Sequence, residues 1–203
     1  VNMSGNSVWV YNLAQGHVDG FSGETVLGQK MNGVEHIYNG FESNLLSNYD
    51  LFIGNYAGSI GETSTLAILL GAALLLITGI ASYRIMLSVF AGGFLTALLF
   101  NAIAPEGNVL MNTPALQHIL IGGFAFGAVF MATDPVTASQ TNTGKWIYGF
   151  LIGMMAILIR CVNPAYPEGM MLAILLLNVF APLIDHLVVQ ANCKARMRKK
   201  SLN

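Results

Sequence analysis

The chain has 203 residues, of which 54% are hydrophobic and 9% charged, with a formal net charge of −1 and a mean hydropathy of +0.60. Soluble domains carry about 25% charged residues, so the composition excludes an ordinary soluble enzyme, a disordered tail and a nucleic-acid binder, which needs a basic surface. Two cysteines, Cys161 and Cys193, are too few for a disulfide framework or a zinc cluster.

The charges divide the chain into three parts. Residues 1–64 are rich in Gly, Asn and Ser and hold Asp19, Glu24, Glu35, Glu42, Asp50 and Glu62. Residues 65–193 are mostly apolar. The tail, 194–203, carries Lys194, Arg196, Arg198, Lys199 and Lys200. The expected organisation is a polar segment, a membrane block and a basic tail. The chain opens on Val1 with no charged-then-apolar leader behind it, and the expectation is a later part of a longer protein.

Within the polar segment, Val18-Asp19-Gly20-Phe21-Ser22-Gly23-Glu24-Thr25-Val26-Leu27-Gly28 stands out. Ser22-Gly23 makes a flexible turn that exposes the Thr25 hydroxyl, an acceptor suited to an enzyme-catalysed phosphoryl-type transfer. Asp19 is near enough in sequence to orient that hydroxyl or help bind a metal. By spacing alone a plain loop remains the default. Ser59-Ile60-Gly61-Glu62 reads as a capping box just before the first apolar run.

A membrane-spanning helix needs about 20 apolar residues. Five stretches are candidates: Thr65–Tyr83, Ile85–Ile103, Ala115–Ala132, Trp146–Ile159 and Met170–Gln190. The fourth is short, and its flanking Lys145 and Arg160 can snorkel to extend it. The basic tail marks the C-terminus as cytoplasmic. Counting back places the turns at Arg84 and Lys145 inside, and residues 1–64, 104–114 and 160–169 outside. Gly92-Gly93, Gly122-Gly123, Gly123-xxx-Gly127 and Gly149-xxx-Gly153 let helices approach closely, or leave room for a flat ligand such as a flavin or quinone ring.

Two acids lie at membrane depth. Asp134 precedes Pro135, where a helix is expected to break and leave carbonyls free beside a carboxylate. Thr133, Thr137, Ser139, Thr141 and Thr143 add hydroxyls. Such a place can handle Na⁺ or H⁺, or be a loop with Asp134 as a helix cap. Asp185 follows Pro182 in the fifth stretch. A carboxylate there costs about 2.5–3.5 kcal/mol on insertion scales, so it is paired, part of an ion pathway, or close enough to the tail to reach the interface. His17, His36, His118 and His186 have no metal-ligand spacing, and neither a phosphate-cradling loop nor a nucleophile elbow occurs. No catalytic side chain or metal ligand is nominated.

The stretch around Thr25 resembles the D-x-x-(S/T)-G-A-T flavinylation motif of the Na⁺-pumping NADH:quinone reductase and Rnf families, with Glu24 where the family has Ala. Phe130-Met131-Ala132-Thr133-Asp134-Pro135-Val136-Thr137-Ala138-Ser139 is similar to both families. Asn163-Pro164-Ala165-Tyr166-Pro167-Glu168-Gly169-Met170-Met171-Leu172-Ala173-Ile174-Leu175 and Ala181-Pro182-Leu183-Ile184-Asp185-His186 resemble the B-type subunits of the reductase more than the D-type subunits of Rnf. The likeness runs over residues 15–203.

The resemblance implies an all-α, multi-pass protein of the bacterial inner membrane. It would be the second five-helix half of a ten-helix inverted repeat, preceded by an extracytoplasmic flavin-bearing segment. A flavin transferase would join FMN through its phosphate to Thr25, with Asp19, Ser22 and Gly23 forming the surrounding motif. A non-covalent riboflavin is implied as well. The implied role is one part of a six-subunit translocase, not active alone, relaying electrons from NADH to ubiquinone with Na⁺ export. Asp134 and Asp185 match acidic positions that are candidates for Na⁺ passage. The alternatives are an Rnf D-type flavoprotein and, from another class, a non-redox channel or solute carrier.

Overall fold

The computed structural model describes residues 25–33, 45–56, 58–59, 61–105, 108–163, 166 and 168–200. Asp19, Ser22 and Gly23 lie outside these residues. Among the described residues the regular structure is helical.

Short helices come first: α1 (Val26–Met31) and α2 (Asn48–Ile53). Ser47 and Asp50 form a reciprocal capping box at the start of α2. The apolar helix α3 (Thr65–Ile77) is capped by Ser64, whose hydroxyl accepts from the Ala67 N–H at 3.3 Å. The Glu62 carboxylate does accept from the Ser59 N–H, at 2.9 Å, but this closes a turn before the helix and does not cap it. Gly79, at φ +71°, ends the helix region, so α3 stops short of the expected Tyr83.

Among the described residues three helices are long and apolar enough to cross a membrane: α4 (Tyr83–Ile103), α8 (Asn142–Val162) and α9 (Met170–Lys200), the last over Met170–Arg198. At 1.5 Å per residue, α4 and α8 are each about 30 Å long, matching a hydrocarbon core. Prolines set two of their ends: Ala104 before Pro105 and Asn163 before Pro164 are both extended. Helix α9 runs past membrane length and carries the basic tail beyond it.

The expected span Ala115–Ala132 is not one helix. Between α4 and it lies the four-residue α5 (Val109–Asn112). Then α6 (Ala115–Leu120) stops, Ile121 is extended, Gly122 takes φ +67°, and α7 (Phe124–Phe126) restarts and passes into a π-turn over Gly127–Met131. The expectation of about five spans therefore meets three unbroken membrane-length helices, a 13-residue apolar helix and a broken segment. All five still alternate in direction. Asn101 donates to the Met111 and Thr113 carbonyls at 2.6 and 2.8 Å, while Gly93 lies against Phe124, so the broken segment runs back along α4.

Helices α4 and α8 run parallel, backbone against backbone. A Cβ on Gly149 would sit 2.8 Å from the Ile85 carbonyl, and one on Gly153 would sit 2.6 Å from the Gly93 nitrogen. These glycines and Gly92 make close helix packing possible. Tyr148, Ile152, Ala156 and Ile157 of α8 complete a core with Ile85, Val89, Phe124, Ala173 and Ile174. Gly169 lies against the Ala156 carbonyl and Ile159, and the Tyr148 hydroxyl bonds Asn178, so α9 is antiparallel to α8.

Candidate functional site

The alternation gives the bundle two ends about 30 Å apart. At one, α4 and α8 begin and residues 132–141 turn; at the other, they finish and the chain breaks at Gly122. Arg84, Asp134, Lys145 and Asp185 belong to the first end. Thr25, Glu62, Arg160 and Glu168 belong to the second.

At the Gly122 end, the break leaves backbone groups that lipid cannot hydrogen-bond. Distant side chains satisfy them. Arg160, at the end of α8, donates from Nη1 to the His118 carbonyl at 2.7 Å. The Gly123 N–H donates to Glu168 Oε2 at 3.0 Å. The Tyr56 hydroxyl reaches the Leu120 carbonyl at 3.5 Å. Gly122 is needed here twice over. Its φ favours glycine, and a Cβ would lie 2.9 Å from Glu168 Oε1, 3.2 Å from Arg160 Nη2 and 3.2 Å from Leu27 Cδ2.

Arg160 does not snorkel outward. It is 1% exposed and is turned into the break. Its charge interacts with Glu168 and Glu62. Burial raises the Glu168 carboxyl above its ordinary 4.5; the Gly123 N–H pulls the other way, the Glu62 charge adds to the rise and Arg160 opposes it. Burial, with Glu62 and Glu168 nearby, pushes the Tyr56 hydroxyl up to about 12. His118 is fully buried, with Nε2 3.1 Å from the Leu110 carbonyl.

Thr25 stands at this same end. It is half-buried and caps α1, its Oγ1 accepting from the Gly28 N–H at 3.2 Å. Val26 and Leu27, next along α1, are buried in a cluster with Leu51, Tyr56, Leu110, Leu120 and Ile121. The cap residue is thus anchored to the broken segment through the two side chains that follow it.

At the opposite end, Asp134 is half-buried and closes its own turn. It accepts from the Thr137 hydroxyl at 2.7 Å and the Thr137 N–H at 3.1 Å. The Thr137 hydroxyl holds the Asp134 carboxyl below its ordinary 3.8. A small cleft here is lined by Ile80, Ser82, Thr133, Asp134, Ser139 and Lys145. The hydroxyls of Ser139 and Thr141, expected beside Asp134, bond Asp185 instead, each at 2.6 Å. Asp185 also accepts from the Gln140 N–H at 2.7 Å and the Thr141 N–H at 3.0 Å. It is paired, through a segment more than forty residues away in sequence.

The sequence-nominated residues thus divide between the ends, Thr25 at one and Asp134 with Asp185 at the other. Sequence reasoning missed the Arg160–Glu168 arrangement around Gly122. Its available signal was two isolated opposite charges eight residues apart, flanking a loop that also holds Pro164 and Pro167.

Comparison with known proteins follows the same lines. The sequence profile described as the NQR2, RnfD, RnfE family matches residues 1–194. A protein of Chromohalobacter salexigens, named as the B-type subunit of a Na(+)-translocating NADH-quinone reductase, is 56% identical over 97% of this chain and 46% of its own length. Proteins of the same name from Ectopseudomonas mendocina and Haemophilus influenzae are 54% and 52% identical, over 97% and 96% of this chain and 47% and 46% of their own. The chain therefore spans just under half the length of the curated relatives it matches. With a profile match over almost its whole length, the chain belongs to the NQR2, RnfD, RnfE family.

Proposed function

We propose that this chain is the flavin-bearing part of the B-type subunit in a Na⁺-pumping NADH:quinone reductase. FMN would be esterified through its phosphate to Thr25, and Na⁺ would pass the end that holds Asp134 and Asp185. The observation that carries the reading is the 56% identity over 97% of the chain to a protein with that name. The remaining five-helix repeat, the riboflavin, the quinone and the other subunits of the complex are part of the same proposal. So are the cytoplasmic placement of the basic tail and the extracytoplasmic placement of Thr25.

The geometry fits a group held at Thr25. The hydroxyl accepts from Gly28 while no described residue takes its hydrogen, so esterification breaks no bond among the described residues. The FMN supplies one- and two-electron transfer when attached. The chain's own part is to hold it in place. Val26 and Leu27 anchor α1, and Leu27 rests on the Gly122 break stabilised by Arg160 and Glu168. Asp19, Ser22 and Gly23 would complete the recognition motif for the transferase.

The test is flavin fluorescence of the denatured full-length protein, co-expressed with its flavin transferase. A fluorescent band is expected, lost in Thr25→Ala, with an FMN-sized mass adduct on the peptide containing Thr25. A wild-type band without fluorescence overturns the assignment.

A further inference from the structure

We propose that Asp185 is a positioning residue for cation passage, acting through a latch on Ser139, Gln140 and Thr141 and not as a ligand of the ion. This rests on the Na⁺ reading above.

Asp185 meets four donors, three of them on one carboxylate oxygen. Oδ1 accepts from the Ser139 hydroxyl, the Thr141 hydroxyl and the Thr141 N–H at 2.6, 2.6 and 3.0 Å. Oδ2 accepts from the Gln140 N–H at 2.7 Å. A cation taking Oδ1 as a ligand would have to displace one of its three donors, and the hydroxyl of fully buried Ser139 has no water to fall back on.

The donors are also structural. Thr141 caps α8, its hydroxyl accepting from the Gly144 N–H at 3.1 Å. The Gln140 side chain donates back to the Pro135 and Ala138 carbonyls at 2.8 and 2.9 Å. The latch therefore joins α9 to the start of α8 and to the turn that carries Asp134. Gly144 is its fitted partner. A Cβ there would lie 2.7 Å from Asp185 Oδ1 and closer still to the Ser139 and Thr141 hydroxyls. Among the described residues this end also holds Arg84, which donates to Asn142 Oδ1 at 2.7 Å, and Lys145, which lines the cleft with Asp134, and α9 runs on past it into Lys194, Arg196 and Arg198. Opening the latch moves the turn and with it the Asp134 side of the cleft.

The test uses the purified complex containing the full-length protein, with Asp185→Asn and the double variant Ser139→Ala/Thr141→Val. Two quantities are read: amide hydrogen exchange at Gln140 and Thr141, and the Na⁺ concentration giving half-maximal turnover. Both variants should raise exchange by roughly tenfold or more, the factor expected for a lost hydrogen bond to a charged group. Both should shift the Na⁺ half-saturation in the same direction and to within about a factor of two of each other, as expected when one equilibrium is perturbed from its two sides. In the wild type, adding Na⁺ should leave exchange at Gln140 and Thr141 unchanged, a measurement that needs no variant to assemble. The proposal is overturned if Na⁺ accelerates that exchange, or if Asp185→Asn shifts the Na⁺ dependence while the double variant does not. Wild-type turnover indifferent to Na⁺ would instead defeat the Na⁺ reading, and the exchange result would still report on the latch.

Discussion

Replacing Gly122 by Ala isolates what the break in the third apolar segment is worth. Two costs add. The first is backbone: Gly122 has φ +67°, and a residue with a Cβ loses about 1–2 kcal/mol in the left-handed region. The second is local. The new Cβ would stand 2.9 Å from Glu168 Oε1 and 3.2 Å from both Arg160 Nη2 and Leu27 Cδ2. Arg160 is 1% exposed and cannot swing away. Glu168 must therefore move, weakening its 3.0 Å bond from the Gly123 N–H. A hydrogen bond to a charged group is worth about 1.5–3 kcal/mol, so with about two-thirds of that bond lost the whole substitution costs about 2–4 kcal/mol.

Gly79 supplies the control. Its φ is +71°, nearly the same, and a Cβ there meets nothing within 4 Å. Gly79→Ala should cost only the backbone share, about 1–2 kcal/mol. The assay is equilibrium unfolding of the full-length protein in detergent, wild type and both variants side by side. Gly122→Ala should be the less stable by about 1–2 kcal/mol, roughly two-thirds of one charged hydrogen bond. It should also lower Thr25 flavinylation, because Leu27 of α1 rests on the same spot. Equal losses in the two variants would refute the argument that Glu168 and Arg160 hold the break.

Two further outcomes follow from the same geometry. Glu168→Gln keeps an acceptor for the Gly123 N–H and mimics the protonated acid. The folded-state carboxyl is raised above 4.5, so the folded protein binds the proton more readily than the unfolded chain. The wild type should therefore lose stability relative to Glu168→Gln as pH rises past 4.5, with the difference levelling off above the folded value; thermal melts at several pH values read this, and a difference constant with pH would contradict it. Gly149→Ala puts a Cβ 2.8 Å from the Ile85 carbonyl and against the Ser88 hydroxyl. Parting two parallel backbones should cost about 1–3 kcal/mol, visible as a lower unfolding midpoint, whereas an unchanged midpoint would mean that α4 and α8 have slack.

The long helices are legible in the sequence because their signals are local. Tyr83–Ile103 and Asn142–Val162 are apolar over a membrane's thickness and end before prolines, and both cues lie within the segment. The break is not legible. Gly122-Gly123 in an apolar run reads equally as a packing face, and what decides it is an arginine and a glutamate about forty residues further on. A helix-end arginine beside lipid snorkels unless an unpaired carbonyl waits inside; for Arg160 the His118 carbonyl does. Ser139 and Thr141 group with Asp134 by proximity in sequence, while their bonds go to Asp185. The sequence expects an exposed Thr25 hydroxyl on a flexible turn, whereas Thr25 is half-buried as the cap of α1, and the motif's remaining residues, Asp19, Ser22 and Gly23, lie outside the described residues.

The scarcity of charge gives these few groups a common logic. A chain in lipid must satisfy every backbone N–H and C=O from within. Where the helix is unbroken that costs no side chain. Where it breaks, a side chain from another element must arrive. Arg160 and Glu168 do this at Gly122, and Asp185 does it at Gln140 and Thr141. Irregular backbone at membrane depth is also where ions and cofactors can be met, because only there are polar groups on offer. Structural and functional demands therefore fall on the same residues, and loss of turnover in a variant of Asp185 cannot by itself identify an ion ligand. A ligand and a latch separate only when the donors, Ser139 and Thr141, are changed while the carboxylate is kept.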